Sequence, residues 1–266
     1  MYTEAHEFRN RLVLDSTEPE LQNRIIGVAG RKGSGKSRLT REILSHAERL
    51  VVFDPVQDHG WIPDQFTDTA LAHDYIFTHA QAGGAFLGEY IPEGTGKDQL
   101  ATDFDAICHA VFEWGNLSFA IEEVPLLTNA NYAPEKFDAI IRLGRHRSVN
   151  ILYTAQRLAE CPRRLTGATD VFILFHTAEP RDLEAIADRT DPDVADLVAH
   201  LERYEFVVYD VQERRMLEVD EAWYDYLLNI DAVWTPAYGG RHGKKLLWSL
   251  GNGDEQRRMD AGQTVG

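Results

Sequence analysis

The stretch Gly30-Arg31-Lys32-Gly33-Ser34-Gly35-Lys36-Ser37 follows directly on an apolar run, Ile25 to Ala29, and opens a segment of helical period with Leu39, Ile43 and Leu44. Few short sequences constrain a chain so strongly. Glycines between a buried strand and a helix let successive backbone N–H groups curl toward one point, and the helix adds its positive end. This is the Walker A pattern in its strand, loop and helix setting. Gly30, Gly33, Ser34, Gly35, Lys36, Ser37 and Arg38 are therefore the candidate nucleotide-binding residues. Lys36 is expected to meet the β- and γ-phosphates of ATP, and Ser37 to offer its hydroxyl to Mg2+. Arg31 and Lys32 occupy variable loop positions and read as solvated charges.

Apolar runs of strand length recur at Leu50–Phe53, Leu117–Ile121, Val149–Ala155, Val171–Phe175 and Phe206–Tyr209. Segments of helical period lie between them at Ser37–His46, Leu100–Trp114, Pro134–Leu143, Pro180–Arg189 and Pro192–Glu202, with Gly144 suited to a left-handed stop. Strands alternating with helices imply an α/β chain with a mainly parallel sheet covered on both faces, because each parallel return needs a crossover. Residues 1–22 read as an N-terminal extension and 23–231 as one P-loop domain. Within that domain 55–98 reads as an irregular insertion with one strand near Ala85–Ile91. Residues 232–266 read as a C-terminal arm carrying Arg241, Lys244, Lys245, Arg257 and Arg258.

Composition narrows the function classes. A net charge of -16 over 266 residues excludes a protein that coats nucleic acid with its whole surface, since that binding needs Lys and Arg against phosphates. It is compatible with a ring whose lumen alone is basic. No run approaches the ~20 apolar residues of a membrane span, and the charged N-terminus resembles no signal peptide, so a cytoplasmic protein is expected. Cys108 and Cys161 lack metal-ligand spacing and read as ordinary residues.

A phosphate loop needs carboxylates at the end of a neighbouring strand. Leu117–Ile121 runs into Glu122 and Glu123, which supplies the pair: Glu122 facing the metal through water, Glu123 poising the attacking water. Val149–Ala155 ends in Gln156, a residue able to bond both the γ-phosphate and that water. Between them lies Arg142-Leu143-Gly144-Arg145-His146-Arg147, basic in an acidic protein. Arg145 is the first choice for an arginine finger, ahead of Arg147 and Arg142; helix-end cations favoured by the dipole are the alternative.

Phosphate loop, Glu-Glu strand end, Gly-Arg-x-Arg turn and strand-terminal Gln, with Asp54-Pro55 after the first helix, resemble in that order the FtsK/HerA superfamily of DNA-pumping ATPases. The short chain looks most like the genome-packaging ATPases of tailless viruses with an internal membrane. Glu122 stands where that superfamily usually has Asp, and Val56-Gln57-Asp58-His59 follows Asp54-Pro55 where HerA relatives often have Gly-Glu. The resemblance covers about residues 23 to 210 and implies a RecA-like (ASCE) P-loop sheet. It implies ATP and Mg2+ at Lys36, Ser37, Glu122 and Glu123, γ-phosphate sensing by Gln156, and Arg145 acting across a subunit boundary. It further implies a ring of six or five copies around double-stranded DNA, driven by ATP, and capsid vertex or portal partners in a viral setting. A cellular or conjugative translocase is the alternative. A small-molecule kinase is disfavoured because residues 55–98 contain no arginine for a lid, and adjacent glutamates disfavour a nonenzymatic switch.

Overall fold

A computed structural model describes residues 23–94 and 96–217. The expected N-terminal extension (1–22) and C-terminal arm (232–266), with its basic residues, lie outside these. Nine strands are present among the described residues: β1 (Ile25–Ala29), β2 (Arg49–Phe53), β3 (Asp64–Phe66), β4 (Phe86–Tyr90), β5 (Leu117–Ile121), β6 (Val149–Ala155), β7 (Val171–Phe175), β8 (Phe206–Asp210) and β9 (Arg215–Leu217). Seven α-helices connect them: α1 (Lys36–Leu44), α2 (Thr69–Ala82), α3 (Lys97–Trp114), α4 (Glu135–Leu143), α5 (Arg163–Gly167), α6 (Pro180–Arg189) and α7 (Pro192–His200).

Every residue of β1, β2, β5, β6, β7 and β8 is buried, as a sheet covered on both faces requires. The strands form one sheet in the order β3-β4-β2-β5-β6-β1-β7-β8-β9. All pairings from β3 to β7 are parallel, and β8 and β9 close one edge antiparallel. The expected mainly parallel α/β sheet is thus what the chain forms. Phe104 of α3 joins the layers: its ring lies 5.0 Å from Phe53 of β2, 6.3 Å from Phe119 of β5 and 5.2 Å from Phe137 of α4. Fully buried, those rings fix the helices on the face behind β5. Both cysteines are free and buried.

Two expectations need correction. Residues 55–98 are not irregular: β3, α2 and β4 form a parallel unit that extends the sheet beyond β2. Asp68 caps α2, its carboxylate accepting from the N–H groups of Ala70 and Leu71, and Gly83 ends it at φ 70°. Gly144 is not a left-handed stop either. Its φ is -55°, and the chain continues as a short 3-10 turn, Gly144–Arg147, until Ser148 takes φ 51°. A Cβ at 144 would lie 2.7 Å from Asn23 Oδ1, so a side chain there would displace the Asn23 amide.

Candidate nucleotide site

Parallel pairing brings the carboxyl ends of β1, β5 and β6 to one edge of the sheet, with β1 and β5 flanking β6. The loop from Gly30 to Gly35 leaves β1 there. Gly30, Gly33 and Gly35 hold φ of 148°, 75° and 107°, values that L side chains rarely adopt. Gly30 also has no room for a side chain, since a Cβ would meet Phe175 Cβ at 2.5 Å. The Gly30 N–H donates to the Ala155 carbonyl at 3.1 Å and the Arg31 N–H to the His176 carbonyl at 3.3 Å, which ties the loop to β6 and β7. Arg31 and Lys32 are exposed, as expected.

The Lys36 ammonium is folded into this loop and donates to the carbonyls of Gly30 (2.7 Å) and Arg31 (3.3 Å). Burial lowers its pKa, and the charges of Glu123, Glu122 and Asp58 oppose that shift. The Ser34 hydroxyl is buried in the loop and has no hydrogen-bond partner within the protein. An orphaned donor beside a buried cation fits a bound phosphate chain.

Thr154 of β6 pins both strand-end acids. Its hydroxyl donates to Glu122 Oε2 at 2.6 Å and accepts the Glu123 N–H at 2.9 Å. Glu123 holds a left-handed φ of 52°, a strained setting that turns it out of the strand. Its Oε1 accepts the Gln156 N–H at 3.0 Å. Burial raises the Glu123 pKa, against the Gln156 hydrogen bonds and the Lys36 charge. Lys36, Glu123 and Gln156 therefore lie together at this edge of the sheet.

Glu122 has a protein donor on each carboxylate oxygen. It is buried, with Oε1 accepting from His59 Nε2 at 2.6 Å and Oε2 from Thr154. Trp61 Nε1 donates to His59 Nδ1 at 3.2 Å, and since an indole only donates, the imidazole is the tautomer with its proton on Nε2. The Ser37 hydroxyl donates instead to Asp58 Oδ2 at 2.8 Å. Among the described residues no group of three or more His, Cys, Asp or Glu side chains could enclose a metal ion. The all-oxygen set of Ser37, Asp58 and Glu122 suits Mg2+, a hard ion that keeps several waters and is bound chiefly through phosphates.

Sequence reasoning missed three further residues at this edge. Asp58 is one. Arg203 and Tyr204, in the turn before β8, are the others: Arg203 Nε donates to the Gly33 carbonyl at 3.3 Å, and its guanidinium lies 4.8 Å over the Tyr204 ring, which packs beside Gly35. No local signal betrays them, because only the antiparallel return of β8 carries them to the loop.

The basic turn lies elsewhere. Gly144–Arg147 precedes β6, at the opposite end of that strand from Gln156. Seven residues at about 3.3 Å each separate the two by on the order of 20 Å, so Arg145 is remote from this chain's own phosphate loop. All three arginines are exposed, but Arg142 pairs with Asp138 at 2.9 Å and Arg147 lies 5.3 Å over the Phe112 ring, whereas among the described residues the Arg145 guanidinium reaches its neighbour His146 alone, at 3.5 Å.

No family model and no curated protein matches the sequence. Solved structures do. The genome packaging NTPase B204 of Sulfolobus turreted icosahedral virus 2, in complex with ATP-gammaS, superposes with a TM-score of 0.59 at 19% identity, over 76% of this chain and 99% of that one. B204 of Sulfolobus turreted icosahedral virus, described as a DNA-packaging ATPase, gives 0.58 at 18% identity over 75% and 99%. VirB4 of Thermoanaerobacter pseudethanolicus gives 0.53 at 12% identity over 77% and 92%. The chain has the RecA-like P-loop fold that these proteins share.

Proposed function

We propose that this chain is an ATP hydrolase of the FtsK/HerA superfamily that drives translocation of double-stranded DNA, and that its work is the packaging of a viral genome. The observation that carries the hydrolase reading is the constellation of buried Lys36, the strained Glu123 and Gln156 around a glycine loop whose Ser34 hydroxyl lacks a partner. The likeness to B204, whose structures include complexes with ATP-gammaS and AMPPCP, supports ATP as the nucleotide and packaging as the role. The likeness to VirB4 supports a second reading, a cellular or conjugative translocase of the same superfamily.

Each residue has a task in this reading. The loop N–H groups and Lys36, whose ammonium lies against the Gly30 and Arg31 carbonyls, grip the phosphates. Glu123, already aligned by Gln156 and Thr154, accepts a hydrogen bond from the attacking water and takes its proton. Gln156 reports whether the terminal phosphate is present. Mg2+, when bound, screens charge on the β- and γ-phosphate oxygens, and Ser37, Asp58 and Glu122 are the residues at hand to hold it. Arg145, too far from its own loop, acts as a finger in a neighbouring subunit, which requires a ring of six or five copies with DNA in the channel. The channel wall needs cations free to meet the DNA backbone: Arg157 is engaged by Asp182 (2.7 Å) and Glu179 (3.4 Å) and Arg164 by Asp138 (2.7 Å), while the Arg163 side chain is exposed. Arg163 and the basic tail are therefore the better candidates. No helix among the described residues is long and apolar enough to cross a membrane. The packaging role itself puts the protein in the host cytoplasm or at a virion vertex.

The experiment for the site is Lys36→Ala. It should abolish hydrolysis and leave the circular dichroism spectrum intact; a full-rate variant would refute the assignment.

A further inference from the structure

The carboxylate that touches the Ser37 hydroxyl comes from an unexpected place. A serine that gives its oxygen lone pair to a metal must send its proton to an acceptor on the far side, and in this structure that acceptor is Asp58 Oδ2, 2.8 Å away. Glu122, at the end of β5, has a protein donor on each oxygen, His59 on Oε1 and Thr154 on Oε2. Glu122 is 3% exposed, whereas Asp58 stands open to solvent beside the loop.

Asp58 is not there by the accident of a mobile loop. The Asp54 carboxylate ties the turn that follows β2, accepting from the N–H groups of Val56 (3.0 Å), Gln57 (2.8 Å) and His59 (3.0 Å). Gln57 takes φ 60°, which reverses the chain. His59 then plugs into the interior, fully buried between Glu122 and Trp61. With anchors on both sides, Asp58 has little freedom but to face the amino end of α1, where Ser37 sits. The longer reach of glutamate at 122 has a use in this arrangement, since it spans from β5 to the His59 ring and braces the turn that presents Asp58.

We propose that Asp58 is the metal-side acid of this site: it accepts the Ser37 hydroxyl hydrogen bond and would orient the water of a bound Mg2+, while Glu122 serves mainly as a positioning residue for the turn. The proposal rests on the reading of the site as a nucleotide site. The test is ADP affinity, measured by calorimetry on the full chain with Mg2+ and with a chelator, the ratio of the two giving the metal's contribution. Asp58→Asn should cut that ratio by about tenfold or more while changing chelator-condition affinity by less than about twofold, as loss of a group orienting a metal's ligands does. Ser37→Ala should cut it as well, and the double variant should add little, because one hydrogen bond is being removed twice. Glu122→Gln should reduce the ratio less than Asp58→Asn does. A wild-type ratio in Asp58→Asn, or full additivity with Ser37→Ala, would overturn the proposal, as would a greater loss in Glu122→Gln. If Glu122→Gln does not fold, the variants of exposed Asp58 and half-buried Ser37 decide alone. Wild-type protein that binds no ADP in either condition would instead sink the nucleotide site itself, a result distinct from loss of the metal's contribution.

Discussion

The Gln156 N–H donates to Glu123 Oε1 at 3.0 Å, so the residue proposed to read the terminal phosphate and the one proposed to activate water are directly joined. With Thr154 holding the Glu123 N–H, the carboxylate is fixed at both its backbone and its tip. Such preorganisation is what a base needs to act on a water whose position is set by a bound phosphate.

Burial raises the Glu123 pKa above its ordinary value of 4.5. The base works ionised, so acidification should remove activity at a higher pH than for an ordinary glutamate. We expect the acid limb of the turnover-against-pH profile to lie above 4.5, and Glu123→Gln to lower turnover by about 10² to 10⁴ with nucleotide binding retained. A limb at or below the ordinary range would contradict this environment for Glu123.

Arg145 is exposed and lies at the far end of β6 from Gln156. Arg145→Ala subunits should therefore bind nucleotide normally and fail to turn over. Mixed with Glu123→Gln subunits they should regain activity, since each supplies what the other lacks. Hydrolysis assayed across mixing ratios checks this, and absence of rescue at every ratio would exclude a finger acting between subunits.

The turn that carries Asp58 contains a pH-sensitive pair. Glu89 Oε2 accepts from Gln65 at 2.7 Å, and Oε1, without a protein donor, bonds Asp54 only when Glu89 itself carries the proton. Burial and that bond push its pKa up to about 7. A raised carboxyl pKa means the folded state keeps the proton longer than the unfolded chain. The pair's stabilising contribution is complete below the ordinary carboxylate range and declines as pH rises toward about 7. A glutamine donates to Asp54 and accepts from Gln65 at any pH, so Glu89→Gln should raise the melting temperature more at pH 8 than at pH 5. Equal shifts at both would show that no proton is shared there.

What could be read from residues alone follows from how each was held. β1, β5 and β6 are apolar at nearly every position because helices cover both faces, and their carboxyl ends place Lys36, Glu123 and Gln156 by topology. β3, three residues long and largely exposed, leaves no such pattern, and α2 buries only Ala72 and Ile76, too few to mark a face. Its real signals were the Asp68 cap and the Gly83 stop. Asp58 was invisible because its position depends on a side-chain to backbone turn at Asp54 and a positive φ at Gln57, an unusual value for a residue other than glycine.

The most direct measurement is phosphate release from ATP with Mg2+, with and without long duplex DNA, read beside the mass of the particle in solution. The account predicts turnover that duplex DNA stimulates, in a particle of five or six chains. Protein that releases no phosphate under either condition, or a monomer indifferent to DNA, would contradict it.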